Sequence, residues 1–107
     1  MRIEKGKPFP IDDVLKAYVK AMRISASLNT HRIFEAWDTV SGAKDITLNR
    51  FFRAGILYIT LSSSVARTSL EMQRNELVYR INALLSNDPL FTKDDKSVGF
   101  VTELRLK

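Results

Sequence analysis

The sequence predicts an α+β fold in the order α-α-β-β-α-β, with a three-stranded sheet packed against helices on one face. Three observations predict it. Two N-terminal stretches repeat apolar residues at three- and four-residue spacing, the period of a helix. Between Ile46 and Leu61 the period falls to two, the period of a strand. From Val65 to Ser86 the helical period returns, and Val98, Phe100, Leu104 and Leu106 then trace a closing strand.

Residues 1 to 8 read as a short basic tail. The first helix runs from about Ile11 to Met22, with Ile11, Val14, Leu15, Tyr18 and Met22 on its apolar side. Asp12 and Asp13 stand in the first turn, where the helix dipole favours acids. Lys16, Lys20 and Arg23 form an outward stripe with no acid inside it. The polar segment Ser25 to Thr30 interrupts the pattern, and Asn29 or Thr30 can cap a second helix from about His31 to Val40. Ile33, Trp37 and Val40 share a face of that helix, and Gly42 suits a left-handed C-cap.

Ile46 and Leu48 then alternate with polar neighbours, Phe51 and Phe52 follow, and Arg53-Ala54-Gly55 can turn the chain. Leu57, Ile59 and Leu61 point one way, and Ile56, Tyr58 and Thr60 the other. Ser62-Ser63-Ser64 can cap the longest helix, about Val65 to Ser86. Its main stripe is Ala66, Leu70, Leu77, Ile81 and Leu84. A second stripe, Val65, Met72, Tyr79 and Ala83, lies opposite, so the helix is expected to be sandwiched between the sheet and the first two helices. Asn87-Asp88-Pro89 stops it, and a charged loop leads to a strand from Val98 to about Leu106. The long helix would be a right-handed crossover between parallel strands. The whole chain, 1–107, reads as one domain.

Composition excludes several classes. A chain of 107 residues buries ~65% of its unfolded surface, enough for one core. No apolar run is long enough to span a membrane. The start, Met1 to Lys7, lacks the apolar core of a signal peptide. There is no cysteine, hence no disulfide framework and no thiolate metal site. Together these point to the cytoplasm. Seventeen Lys and Arg against twelve Asp and Glu leave a net charge of +5, which suits a polyanion and equally suits solubility.

Catalytic signals are sparse. His31 is the only histidine, with no Cys or acidic cluster to share a metal, and reads as a capping or surface residue. Asp12-Asp13 and Asp94-Asp95 are adjacent pairs, and neighbours on a helix do not face one another. No phosphate-binding glycine motif occurs, and no cofactor is implied. Basic groups able to hold phosphate are Lys16, Lys20 and Arg23 on the first helix and Arg50 and Arg53 at the hairpin. Arg67 and Arg74 flank Glu71 at helical spacing and read as an intrahelical ion-pair set. Phe51 and Phe52 could stack on bases, although consecutive strand residues alternate faces, so at least one belongs to the core. Trp37 reads as a core anchor. Met72 and Tyr79 form an apolar patch for a protein partner if the first two helices leave them uncovered, and coverage is the expectation.

The β-β-α-β topology resembles KH-type nucleic-acid domains, which clamp a single strand with a Gly-x-x-Gly loop. That loop is missing here, which counts against base-specific RNA reading by that route. More specifically, the chain resembles the DciA-type family of bacteria from about Ile11 to Arg105. The matching marks begin with Trp37, Val40, Gly42 and Thr47, and continue through Gly55, Leu57, Ile59 and Leu61. Ser62, Ser63, Arg67, Leu70, Met72, Arg74, Leu77, the Ile81-Asn82 pair, Val101 and Leu104 complete them in order. Two positions depart. Ser69 stands where an acid commonly precedes the helix leucine, and Ala66 where a bulky residue is usual.

The resemblance implies a KH-like compact domain, binding to nucleic acid, and a non-enzymatic role in promoting replicative-helicase loading on DNA. Many relatives add a disordered extension. With the chain ending at Lys107, functions residing in such an extension are expected to be absent. The resulting expectation is a DNA-binding accessory protein, preferring single strands, that uses Lys16, Lys20, Arg23, Arg50 and Arg53 and no small-molecule substrate. The alternatives are a protein-interaction module working through Met72 and Tyr79, and a KH-like RNA-binding domain.

Overall fold

The computed structural model describes residues 11–93 and 98–107, with the side chains of 11–14, 19 and 22–25 outside that description. The basic tail 1–8 and the acids Asp94 and Asp95 therefore lie outside the described residues, as do the side chains of Asp12, Asp13 and part of the first apolar stripe. The elements are α1 (Ile11–Ser41), a 3-10 turn (Lys44–Ile46), β1 (Thr47–Arg53), β2 (Ile56–Leu61), α2 (Ser64–Met72), α3 (Arg74–Ser86) and β3 (Glu103–Leu106). The class is α+β, as expected, and no helix is long and apolar enough to cross a membrane among the described residues.

The largest difference from expectation is at the N-terminus, where two expected helices are one helix of 31 residues. The polar segment from Ser25 to Thr30 contains no Gly or Pro, so its helical cost is only a few tenths of a kcal/mol per residue, roughly 0.4–0.7. Its polar groups are also satisfied within the helix or across the fold. Thr30 Oγ1 donates to the carbonyl of Ala26 at 2.9 Å. Asn29 is fully buried and not a cap. Its Nδ2 donates to the carbonyls of Thr92 and Val98, both at 2.8 Å, and its Oδ1 accepts from Thr92 N–H at 2.7 Å. Those bonds require Asn29 inside a helix that passes the C-terminal loop. Gly42 ends α1 as expected, with φ +64° and its N–H donating to Asp38 O at 3.1 Å.

β1 and β2 form a hairpin closed by two residues, Ala54 at φ +53° and Gly55 at φ +82°. Two positive φ values in a two-residue loop match the twist of the flanking strands. A Cβ on Gly55 would lie 2.7 Å from Thr102 Oγ1, so the close approach of the last segment also demands glycine there. Leu48, which alternates with polar neighbours, occupies an irregularity in the register between Thr47 and Asn49 and is exposed. β3 pairs parallel to β2, making β2 the central strand. β3 is shorter than the expected strand from Val98. Before Glu103, Thr102 N–H still donates to the Gly55 carbonyl at 2.7 Å, and Val101 is held by a side chain, with Asn82 bonding both its backbone groups at 2.8 and 2.9 Å.

The expected long helix is also interrupted. Ser63 caps α2, its hydroxyl accepting from Ala66 N–H at 3.1 Å. At Gln73 (φ −104°, ψ 10°) the backbone turns, and Gln73 N–H donates to Leu70 O. Beyond that break the buried residues of α3 are Leu77, Ile81 and Leu85. The changed helical phase leaves Leu84 exposed at a position expected in the core. The stripe of Val65, Met72, Tyr79 and Ala83 faces solvent, so neither Met72 nor Tyr79 is covered and the expected sandwich does not form.

One core joins Ile33 and Trp37 of α1, Leu57, Ile59 and Leu61 of β2, Leu104 of β3, and the α3 residues. Trp37 is its largest member. Its indole N–H donates to Thr47 Oγ1 at 3.1 Å, and that hydroxyl donates to Ala43 O at 2.6 Å. This relay fixes the end of α1 to the start of β1 without leaving a buried donor unpaired.

Candidate nucleic-acid interface

The basic residues expected at the site fall into two separate places. Lys16 and Lys20 lie one turn apart on α1 and are exposed, as is every described side chain from Leu15 to Ala21. Arg23 is on the same helix, with its side chain outside the described residues. Leu15 and Tyr18, expected to pack, are 55% and 63% exposed, and among the described residues the buried side chains of α1 begin at Asn29.

Arg50 and Arg53 are on β1, and the two differ. Phe52 pairs with Leu57 and Arg50 with Ile59, so both face the core side of the sheet. Arg50 donates from Nε and Nη2 to Asp38 Oδ1 at 2.9 and 2.7 Å, tying β1 to α1. Arg53 is on the opposite face, exposed, with no ion pair among the described residues. Eighteen residues separate Lys20 from Asp38, and at 1.5 Å per residue that places the helix cations ~27 Å from the Arg50 anchor. The structure therefore brings the two groups into one molecule of 68 × 24 × 20 Å without joining them in one patch.

The remaining charges are mostly committed. Arg74 meets Glu71 at 3.4 Å and Arg80 meets Glu76 at 3.1 Å, both exposed pairs of small energetic weight. Arg67 has no such bond among the described residues, so only half of the expected Arg67-Glu71-Arg74 set forms. Arg32 meets Asp88 at 2.6 Å. Burial pushes the Asp88 carboxyl up, but the Arg32 hydrogen bond, the Leu90 N–H and the Arg32 charge together hold it below its ordinary value. Glu103 raises the pKa of Arg105 through a hydrogen bond and its charge. His31 is a mid-helix surface residue 3.7 Å from Glu35, not a cap.

Sequence reasoning missed the second face of the sheet as a unit. Phe51, Tyr58 and Arg105 form a row across the three strands. The ring centroids of Phe51 and Tyr58 are 5.8 Å apart, and Arg105 Cζ is 5.8 Å from the Tyr58 centroid. Phe52 supplies the core partner expected of the Phe pair, while Phe51 is 51% exposed. The signal was present in the alternation of β2, where Tyr58 falls opposite Leu57 and Ile59. A groove of about 520 Å³ lies between the end of α1 and α2, and Ala66 and Ser69 both line it with Val40, Ile46 and Leu70. The two departures from the family pattern thus meet in one place.

Comparison with known proteins supplies the rest. No curated protein matches the chain, and no solved structure matches it. The sequence model of the family described as Dna[CI] antecedent, DciA, matches residues 10–90. That family is associated with loading of the replicative helicase DnaB and is not a catalytic one. The matched span runs from the exposed cations of α1 through the Trp37–Thr47 relay, the hairpin and the Gln73 break to the end of α3, and on it the chain belongs to the DciA family.

Proposed function

We propose that this chain is a non-enzymatic, DNA-binding accessory protein of replication that promotes placement of the replicative helicase on single-stranded DNA. Membership of the DciA family carries the helicase half of the reading. The exposed cations Lys16, Lys20 and Arg53 support the DNA half, with Arg23 continuing the stripe on α1. Arg50 contributes least, because Asp38 already neutralises it. The uncovered Met72 and Tyr79, at 85% and 70% exposure, supply the face for the helicase.

Fluorescence-anisotropy titration of labelled single-stranded and duplex DNA at two salt concentrations tests the DNA half. Affinity should fall steeply with salt, since phosphate contacts release counterions. The Lys16→Glu, Lys20→Glu double variant should lose most of it, and parental affinity in that variant would remove α1 from the interface. Capture of the helicase by the parent but not by a Met72→Asp variant tests the other half. A second reading, a protein-interaction module without DNA binding, is favoured by the same uncovered stripe. It predicts salt-insensitive helicase capture and no DNA binding at low salt.

A further inference from the structure

The open face of the sheet is an unusual surface for a hairpin. An antiparallel sheet with one buried face normally turns polar residues outward. Here the outward residues include Phe51, Ile56 and Tyr58. By strand alternation the same face carries Arg53, Glu103, Arg105 and Lys107, an excess of cations over the single acid. On it Phe51, Arg53, Arg105 and Lys107 are exposed, and Ile56 and Tyr58 are half-buried. Glu103 is already bonded to Arg105, which leaves Arg53 and Lys107 flanking the aromatic row without an ion pair among the described residues.

We propose that this face is a base-stacking platform for single-stranded DNA, with Phe51 and Tyr58 as the stacking surfaces, Arg105 extending the row, and Arg53 and Lys107 holding phosphates on either side. The proposal rests on the DNA-binding reading above and names a surface distinct from the α1 cations. Single strands expose base faces that a duplex hides, and base–aromatic stacking is tolerant of sequence because every base has a π-face. The cations discriminate against an apolar protein partner and suit a polyanion whose bases reach the rings. Arg105 is already poised over a ring, a geometry that lets a planar guanidinium share in stacking.

The test compares the parent with a Phe51→Ala, Tyr58→Ala double variant on oligothymidylate, on an abasic oligonucleotide of the same length, and on duplex DNA. Stacking is worth enough per base that the double variant should bind oligothymidylate roughly 10-fold or more weakly. Its affinity for the abasic strand and the duplex should stay within about twofold, because those present phosphates without accessible bases. Its salt slope should also match the parent, whereas Lys16→Glu, Lys20→Glu should flatten the slope by about 0.7 per lost single-strand contact. A Phe51→Trp variant gives a reading independent of the double variant's folding. Its emission should be quenched by oligothymidylate and not by the abasic strand. Parental affinity of the double variant for oligothymidylate overturns the platform and leaves DNA binding intact. So does equal loss on all three nucleic acids, or loss of helicase capture with oligothymidylate binding unchanged. Failure of the parent to bind any DNA overturns the platform together with the reading it rests on.

Discussion

The two halves of α1 share one helix and do opposite things. From Asn29 to Ala43 the chain holds Ile33, Ala36 and Trp37 in the core, and Arg32 and Asp38 in ion pairs that reach Asp88 and Arg50. From Leu15 to Ala21 every described side chain is exposed, including Leu15, Tyr18, Lys16 and Lys20. Helical structure alone therefore says little about folding energy, because packing of a face stabilises a helix more than propensity does. The anchored half should govern stability, and the projecting half should be replaceable without unfolding the molecule.

The sharpest way to break the anchored half is Trp37→Ala. It removes the largest buried side chain and leaves Thr47 without its indole donor, so a loss of about 3–5 kcal/mol is expected in urea unfolding followed by circular dichroism. That is a large fraction of the stability of a domain this size. Next is Asn29→Ala, which removes the side-chain partner of the N–H and carbonyl of Thr92 and one hydrogen bond of Val98, and should cost roughly 2–3 kcal/mol. Asn29→Asp should cost more at pH 7, since a carboxylate would face two carbonyl oxygens, and should recover in part as acid protonates it.

A smaller effect, and a pH-dependent one, is expected at the Arg32–Asp88 pair. The folded carboxyl is held below its ordinary value, so its contribution is complete above the unfolded pKa of ~3.9 and is lost as pH falls through the folded value. Asp88→Asn should therefore cost roughly 1–2 kcal/mol at neutral pH, and its deficit against the parent should shrink below about pH 4. The smallest effect belongs to the projecting half. A Leu15→Ala, Tyr18→Ala double variant should unfold within about 0.5 kcal/mol of the parent. A loss well beyond that would mean that this half of α1 is packed in solution, and the contrast between the halves would fail.

Much of the candidate interface could be read from the residues. Lys16 and Lys20 of α1 are exposed, and Met72 and Tyr79 form an apolar surface, uncovered against expectation. Arg50 and Arg53 lie three residues apart on β1 and so on opposite faces of the sheet, and only the tertiary structure shows that Asp38 holds one while the other faces solvent. The Phe51–Tyr58–Arg105 row joins a hairpin to a strand more than forty residues further along the chain, a juxtaposition that no local pattern carries.

What the sequence determined by itself is local. Alternation and the Ala54-Gly55 turn specify the hairpin, Ser63 and Gly42 mark two helix ends, and Trp37 is a core anchor, because each depends on dihedral preferences or on hydrophobic period within a few residues. Tertiary structure decided the rest. Asn29 remains in mid-helix because its amide partners lie more than sixty residues away. The helix breaks at Gln73 with no Pro or Gly to mark it, and the stripe of Met72 and Tyr79 stays open to solvent. Those outcomes depend on which surfaces meet across the fold, and local propensities of a few tenths of a kcal/mol are too small to oppose the burial and hydrogen bonding that set them.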